Sequence, residues 1–252
     1  MKKVFCGLLT AFSMYSAIPV PKVEWDGDTI KYTMMFFPLI GVVIGAAVYG
    51  WAILTRALSP LLFAAGIVLI PVIISGAIHA DGFIDTGDAI YSRLDMEEKH
   101  RILKDPHVGA FGVILACCWL LASAGAASVI ELRYIGVLAA AYTATRAISA
   151  FSVVTLKKAK DTGLVHMFAD AAQEKAVRIS SIIYAALSFG FMIWSSPAVG
   201  GALAAVLLLW FWRFSAMSRK KFGGITGDLC GYLVTVGEFL AVAVTAAGGV
   251  LL

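Results

Sequence analysis

Long apolar runs alternate with short polar ones along almost the whole chain. Runs near 33–55, 61–78, 109–130, 134–156, 179–196, 199–216 and 229–251 each approach the roughly 20 residues a helix needs to cross a bilayer. The sixth is the weakest, because Arg213 lies near its end. The pattern predicts an all-α, polytopic membrane helix bundle. It has about seven transmembrane helices, with six to eight allowed, in a single membrane-embedded domain over 1–252. Composition agrees. The chain is 60% apolar and 14% charged, with a mean hydropathy of +0.88, which excludes an ordinary soluble domain.

The segment "VFCGLLTAFSMYSAIPV" (4–20) reads two ways. Lys2 and Lys3, an apolar stretch and "YSA" look like a signal peptide with a small-residue cleavage site. The preferred expectation is a retained helix in or dipping into the interface, since the later spans need no cleaved signal. An eighth span results if it crosses.

Charge gives the orientation. Of the 20 Lys and Arg, 17 fall in the segments 1–32, 79–108, 157–178 and 213–228. The exceptions are Arg56 and Arg133 in the opposite loops and Arg146 inside a span. The positive-inside rule makes the first set cytoplasmic, with the N-terminus in, the C-terminus out and the chain in the cell membrane. The net charge of +4 is this topological signal, and no nucleic-acid partner is implied. Acids do not set topology, yet 14 of 16 lie on the same side, which puts any chemistry at the cytoplasmic face. Cys6, Cys117, Cys118 and Cys230 lack zinc-site spacing and read as small apolar fillers. "GVVIG" (41–45) reads as close helix packing.

The densest chemistry is "HADGFIDTGDAIYS" (79–92), with no basic residue beside Asp81, Asp85 and Asp88. On a helix their spacing puts all three on one face. Three carboxylates on one stripe repel one another, and a divalent cation relieves the conflict. All-oxygen ligands favour Mg²⁺ or Mn²⁺ over zinc, and Mg²⁺ commonly shares its shell with phosphate oxygens. Gly82 could let a substrate approach the backbone. His79 points away from the stripe on a continuous helix, and reads as a base, a phosphate donor or an interfacial residue.

Two more stretches support this centre. In "LKDPHVGAFG" (103–112), Asp105 and Pro106 read as the N-cap and first residue of the next span. Lys104, with Gly109 and Gly112 behind it, suits a phosphate at a helix N-terminus. In "RKKFGGITGDLCG" (219–231), Gly223, Gly224 and Gly227 allow a tight loop, Thr226 or Asp228 can cap the last span, and Asp228 could join the metal or substrate site. Arg146 and Glu238 lie inside spans, where ionisable residues are functional candidates or simply pair. His100, His107 and His166 read as loop residues, and Asp161 as a turn residue able to extend to the site.

"HADGFIDTGDA" (79–89), "KDPHVGAFG" (104–112), "GGITGDLCG" (223–231) and "IPVP" (18–21), in this order, resemble the adenosylcobinamide-GDP ribazoletransferase (cobalamin synthase) family, over about residues 5–240. The resemblance implies a Mg²⁺-dependent membrane enzyme of coenzyme B12 assembly. α-Ribazole or its 5′-phosphate displaces GMP from adenosylcobinamide-GDP, giving adenosylcobalamin or its 5′-phosphate. The metal falls to Asp81, Asp85 and Asp88, and the proton to Asp88, His79 or Asp228. Substrate contacts fall to Gly82, Lys104, Asp105, Gly109, Arg146, Gly224, Thr226 and Gly227. The partners are these small molecules and membrane lipid, with a homo-oligomer left open.

The chain departs from the family pattern at Ala17, where an Arg often precedes "IPVP", and at Val234 and Thr235, where an Asn-Glu pair often stands; Glu238 is kept. Two other readings compete. A CDP-alcohol phosphotransferase would continue its motif as "DGxxAR", whereas this chain has "DGFIDTGD". A transporter would place its charges at mid-bilayer and show related halves; here the acids cluster at one face.

Overall fold

The computed structural model describes residues 2–21, 27–159 and 173–251. Ten α-helices occur among them: α1 (Lys2–Tyr15), α2 (Gly27–Thr55), α3 (Pro60–Ile74), α4 (Ile78–Tyr91), α5 (Met96–Ile102), α6 (Ala110–Ser128), α7 (Ile135–Thr155), α8 (Glu174–Ser195), α9 (Pro197–Phe222) and α10 (Gly227–Leu251). A short 3₁₀ turn, Leu132–Tyr134, leads into α7. No strand forms among the described residues; Lys158 and Ile225 make one isolated parallel bridge.

Six helices are long and apolar enough to cross a membrane: α2, α6, α7 with its leading turn, α8, α9 and α10. The chain is therefore a multi-pass membrane protein. Arg213 does not end the sixth run. It lies exposed inside α9, which continues to Phe222. At 14 residues, α1 reaches only about 21 Å, short of the roughly 30 Å hydrocarbon core. It packs along α2, with the rings of Tyr15 and Phe37 4.8 Å apart.

The run 61–78 is not one straight span. Ser59 caps the start of α3, accepting from the Leu62 N–H, and Pro60 occupies the first turn. The helix stops at Ile74 after 15 residues. Gly76 and Ala77 both take φ of 61°, the left-handed region that is uncommon for a side chain such as alanine. The chain turns by 94° into α4. The Ser75 hydroxyl donates to Pro71 O at 2.7 Å, and Ala17 N–H to Ile74 O at 2.8 Å. The loop after α1 thus satisfies a terminal carbonyl of α3, and a polar segment can leave the apolar run without orphaning its backbone.

α7 is the most buried of the six spanning helices, and α6 and α8 are the least. Gly41 and Gly45 of α2 lie against the backbone at Tyr142–Thr143 and at Ala139 of α7, with no room for a side chain. This is the close packing that small residues allow between membrane helices. Leu61, Leu121, Leu187, Trp194 and Trp212 point outward, as lipid-facing residues do.

At one end the connections are tight: 56–59, 129–134 and Ser196. There the Arg56 guanidinium donates to Ser128 O. At the other end lie α4, α5, the start of α6 and the turn from α9 into α10. Hydrogen bonds at this end tie the segment after α7 to the α9–α10 turn, and the start of α8 to α2. Ala159 N–H donates to Ile225 O, Ile225 N–H to Lys157 O, and Gln173 N–H to Lys31 O.

Candidate active site at the crossing of α4 and α10

The site begins with an absent side chain. Gly82 of α4 rests on α10 so closely that a Cβ there would stand 2.6 Å from Asp228 O and 2.9 Å from Asp228 Cα. Gly231 answers from α10, its Cβ position 3.1 Å from His79 O. The Thr235 hydroxyl donates to the same carbonyl at 2.9 Å. Phe83 stacks on Tyr232 at 5.7 Å and meets Trp119 at 5.5 Å, fixing the rotation of α4 about its axis. Gly82 and Gly231, 149 positions apart in the sequence, thus cross backbone to backbone.

The helix over 78–91 confirms the common stripe of Asp81, Asp85 and Asp88. Asp81 is exposed, while Asp85 and Asp88 are half-buried. Asp85 stands in the repulsive field of Asp81, Asp228 and Asp88, so the start of α10 adds a fourth negative charge to the cluster. Thr226 caps α10, its hydroxyl oxygen accepting from Leu229 N–H at 3.3 Å. The same hydroxyl lies 3.5 Å from Asp228 Oδ2 and donates to it, which orients that carboxylate at the start of α10. Among the described residues, no three His, Cys, Asp or Glu side chains are already gathered tightly enough to hold a metal ion. The donor chemistry still suits a hard divalent cation: carboxylate oxygens of like charge, with no thiolate among them.

Asp88 also has a structural task. Gly112 N–H donates to its Oδ1 at 3.1 Å, and Gly109 leaves no space for a side chain beside that carboxylate. The expected cap pair Asp105–Pro106 is corrected here. α6 starts later, at Ala110, with Gly109 as its N-cap, and Asp88 reaches across from α4 to satisfy one open amide, that of Gly112. A carboxylate at a helix N-terminus also gains from the macrodipole. Asp105 is exposed and closes a local turn, accepting from His107 N–H at 2.9 Å with the His107 ring nitrogen 2.8 Å away. Those contacts, the backbone one first, hold its carboxyl below the usual range.

A cavity of about 180 Å³ opens where α1, α2, α4, α7 and α10 meet. His79, Asp81, Gly227 and Asp228 line it, with Tyr15, Ser149 and Cys230. His79 is buried against Phe37, and its Nε2 has no hydrogen-bond partner. The bend at 75–77 and the crossing with α10 bring His79 to the same cavity as Asp81. Tyr15, Ser149 and Cys230 were missed in the sequence. Tyr15 and Ser149 sit in apolar runs whose only local signal is helix packing, and Cys230 reads as an apolar filler beside Asp228.

Arg146 is fully buried and paired with Glu238, Nη1 to Oε1 at 2.6 Å, and it also donates to Tyr142 O at 3.0 Å. It does not line the cavity; its charge is felt by His79 from the bundle interior. Gly224 fits against the backbone of Lys157–Ala159, closing the loop that carries Thr226 and Asp228. Lys104 is exposed and lies apart from the cavity, in a separate cleft. His100 is held by Phe222 O at 2.9 Å. Asp161 and His166 lie outside the described residues.

Comparison with known proteins bears on this geometry. The family model "Cobalamin-5-phosphate synthase" matches residues 7–246. A protein named adenosylcobinamide-GDP ribazoletransferase from Lachnoclostridium phytofermentans is 42% identical, covering 97% of this chain and 95% of its own length. Proteins of the same name from Clostridium botulinum (strain Alaska E43) and Geobacillus kaustophilus are 34% and 30% identical, covering 95% and 94% of this chain and 96% and 94% of theirs. No solved structure matches the chain. With carboxylates and a histidine gathered at one end of a membrane bundle, and with matches running nearly end to end, the chain belongs to the cobalamin-5-phosphate synthase family of membrane enzymes.

Proposed function

We propose that the chain joins adenosylcobinamide-GDP to α-ribazole or its 5′-phosphate and releases GMP, with Mg²⁺, at the cytoplasmic face of the cell membrane. The observation that carries this reading is the meeting of His79, Asp81 and Asp228 around one cavity, in a chain whose relatives bear that enzyme's name.

Asp81, Asp85 and Asp88, joined by Asp228, would hold Mg²⁺. Such an ion, when bound, supplies positive charge to a diphosphate and its leaving group. The carboxylates alone repel a diphosphate, so the cation requirement follows from their clustering. The protein positions the reacting ends, because phosphoryl transfer depends chiefly on alignment and charge neutralisation. Gly82 and Gly231 bring the backbones of α4 and α10 together and so fix the carboxylates of both motifs relative to each other. A cavity of about 180 Å³ takes the reacting groups only; the corrin ring must lie outside it.

His79 is the favoured acceptor of the ribazole hydroxyl proton. Its Nε2 has no hydrogen-bond partner, whereas Asp88 serves Gly112 N–H and Asp228 accepts from the Thr226 hydroxyl. A general base needs reach first and proton affinity second. The Thr235 bond to His79 O holds that segment in place.

The test is GMP release by purified protein in detergent, supplied with adenosylcobinamide-GDP, α-ribazole 5′-phosphate and Mg²⁺. Release abolished by EDTA and by Asp85→Asn supports the reading. Equal release with chelator removes the metal from it, and no release from folded protein overturns the substrate assignment.

A further inference from the structure

A second cleft, of about 540 Å³, opens at the same end of the bundle. Its lining includes His100, Arg101, Lys104, Lys157, Phe222 and Gly223. Three elements far apart in sequence supply these residues, and hydrogen bonds lock them together. The His100 ring binds Phe222 O, and the Lys157–Ala159 segment pairs with Ile225. Gly223, at φ of 75°, ends α9 and turns the chain along the cleft wall. Arg101 is partly spent on Glu98 at 2.7 Å, and Glu97 adds one negative charge to the lining. Lys104 and Lys157 supply the cationic balance.

Membrane topology asks for lysines on one side of the bilayer; it does not ask them to converge on a cleft. Two segments also tie this cleft to the carboxylate site. Lys104 is five residues before Gly109, which covers Asp88, and Gly223 is five residues before Asp228. Five residues span at most about 17 Å.

We propose that this cleft binds the phosphate of a ribonucleotide, with Lys104 and Lys157 as its cationic contacts. The proposal rests on the transferase reading, whose two nucleotide participants, GMP and α-ribazole 5′-phosphate, share this group. A lysine pair on a phosphate also offsets charge that the neighbouring carboxylates would otherwise repel.

The experiment measures equilibrium binding to the whole protein in detergent with EDTA present. No turnover occurs and the metal is removed from the measurement. The probes are GMP, α-ribazole 5′-phosphate and inorganic phosphate; the variants are Lys104→Gln, Lys157→Gln and, as a control outside the cleft, Lys220→Gln. At least one nucleotide should bind the wild type and lose about five- to tenfold in affinity with each cleft variant, with little change for Lys220→Gln. Dependence shown by GMP alone assigns the leaving side; dependence shown by α-ribazole 5′-phosphate alone assigns the acceptor side. Either supports the cleft. Equal losses in all three variants would indicate a diffuse field and overturn it. So would unaltered affinity, absence of nucleotide binding, or inorganic phosphate binding as tightly as the nucleotides. The GMP-release assay judges the transferase reading separately.

Discussion

Gly82→Ala tests the crossing on which the site depends. The new methyl carbon would meet Asp228 O at 2.6 Å and Asp228 Cα at 2.9 Å. Carbon atoms pack comfortably at about 3.5–4.0 Å, so the two helices must part by roughly 0.6–1 Å. Backbone cannot swing aside as a side chain can. The strain should cost about 1–3 kcal/mol, against a gain of up to about 1 kcal/mol from replacing glycine in a helix. The larger effect falls on rate. A displacement near 1 Å between catalytic groups costs on the order of 100-fold, because Asp81 and Asp85 on α4 would shift relative to Asp228 on α10. GMP release and thermal unfolding should be measured together, with Gly50→Ala as control. Gly50 is also helical but has open space at its Cβ, so that variant should be neutral or slightly stabilised. Wild-type rate and stability in Gly82→Ala would refute the close crossing and the reasoning built on it.

Arg146→Met leaves Glu238 buried without its partner and should destabilise by about 3–5 kcal/mol, while Arg146→Met with Glu238→Leu should recover most of that loss; thermal unfolding in detergent reads both. Asp88→Asn keeps an oxygen for Gly112 N–H but removes the charge, so it should fold and lose metal-dependent GMP release. Asp88→Ala should in addition lose about 1 kcal/mol of stability with the helix cap. His79→Gln should retain Mg²⁺ binding, measured by calorimetry, while release falls on the order of 100-fold or more. Asp105 has a folded pKa below its unfolded value, so its support of the 105–107 turn is present above about pH 4 and fades as pH falls through the lowered value. An NMR titration that finds no depression would remove the turn's hydrogen bonds from the account.

Hydropathy alone defines the six straight spanning helices and the apolar run of the bent α3–α4 pair, because a bilayer demands a long apolar run and internally bonded backbone. The stripe Asp81, Asp85 and Asp88 is equally local: helical spacing places it, and α4 is a helix. Thr226 as a cap and the Gly41–Gly45 packing face are legible for the same reason. Three features depend on partners that spacing cannot name. The bend at 75–77 is stabilised from Ala17, outside its own run. The cap of α6 comes from Asp88 on another helix, which is why the local Asp105–Pro106 signal misleads. The His79–Asp81–Asp228 cavity exists only once α4 and α10 cross at Gly82 and Gly231. Local sequence decides which helices form and which faces carry charge; contact between distant helices decides which of those charges meet, since that depends on how closely two backbones can approach.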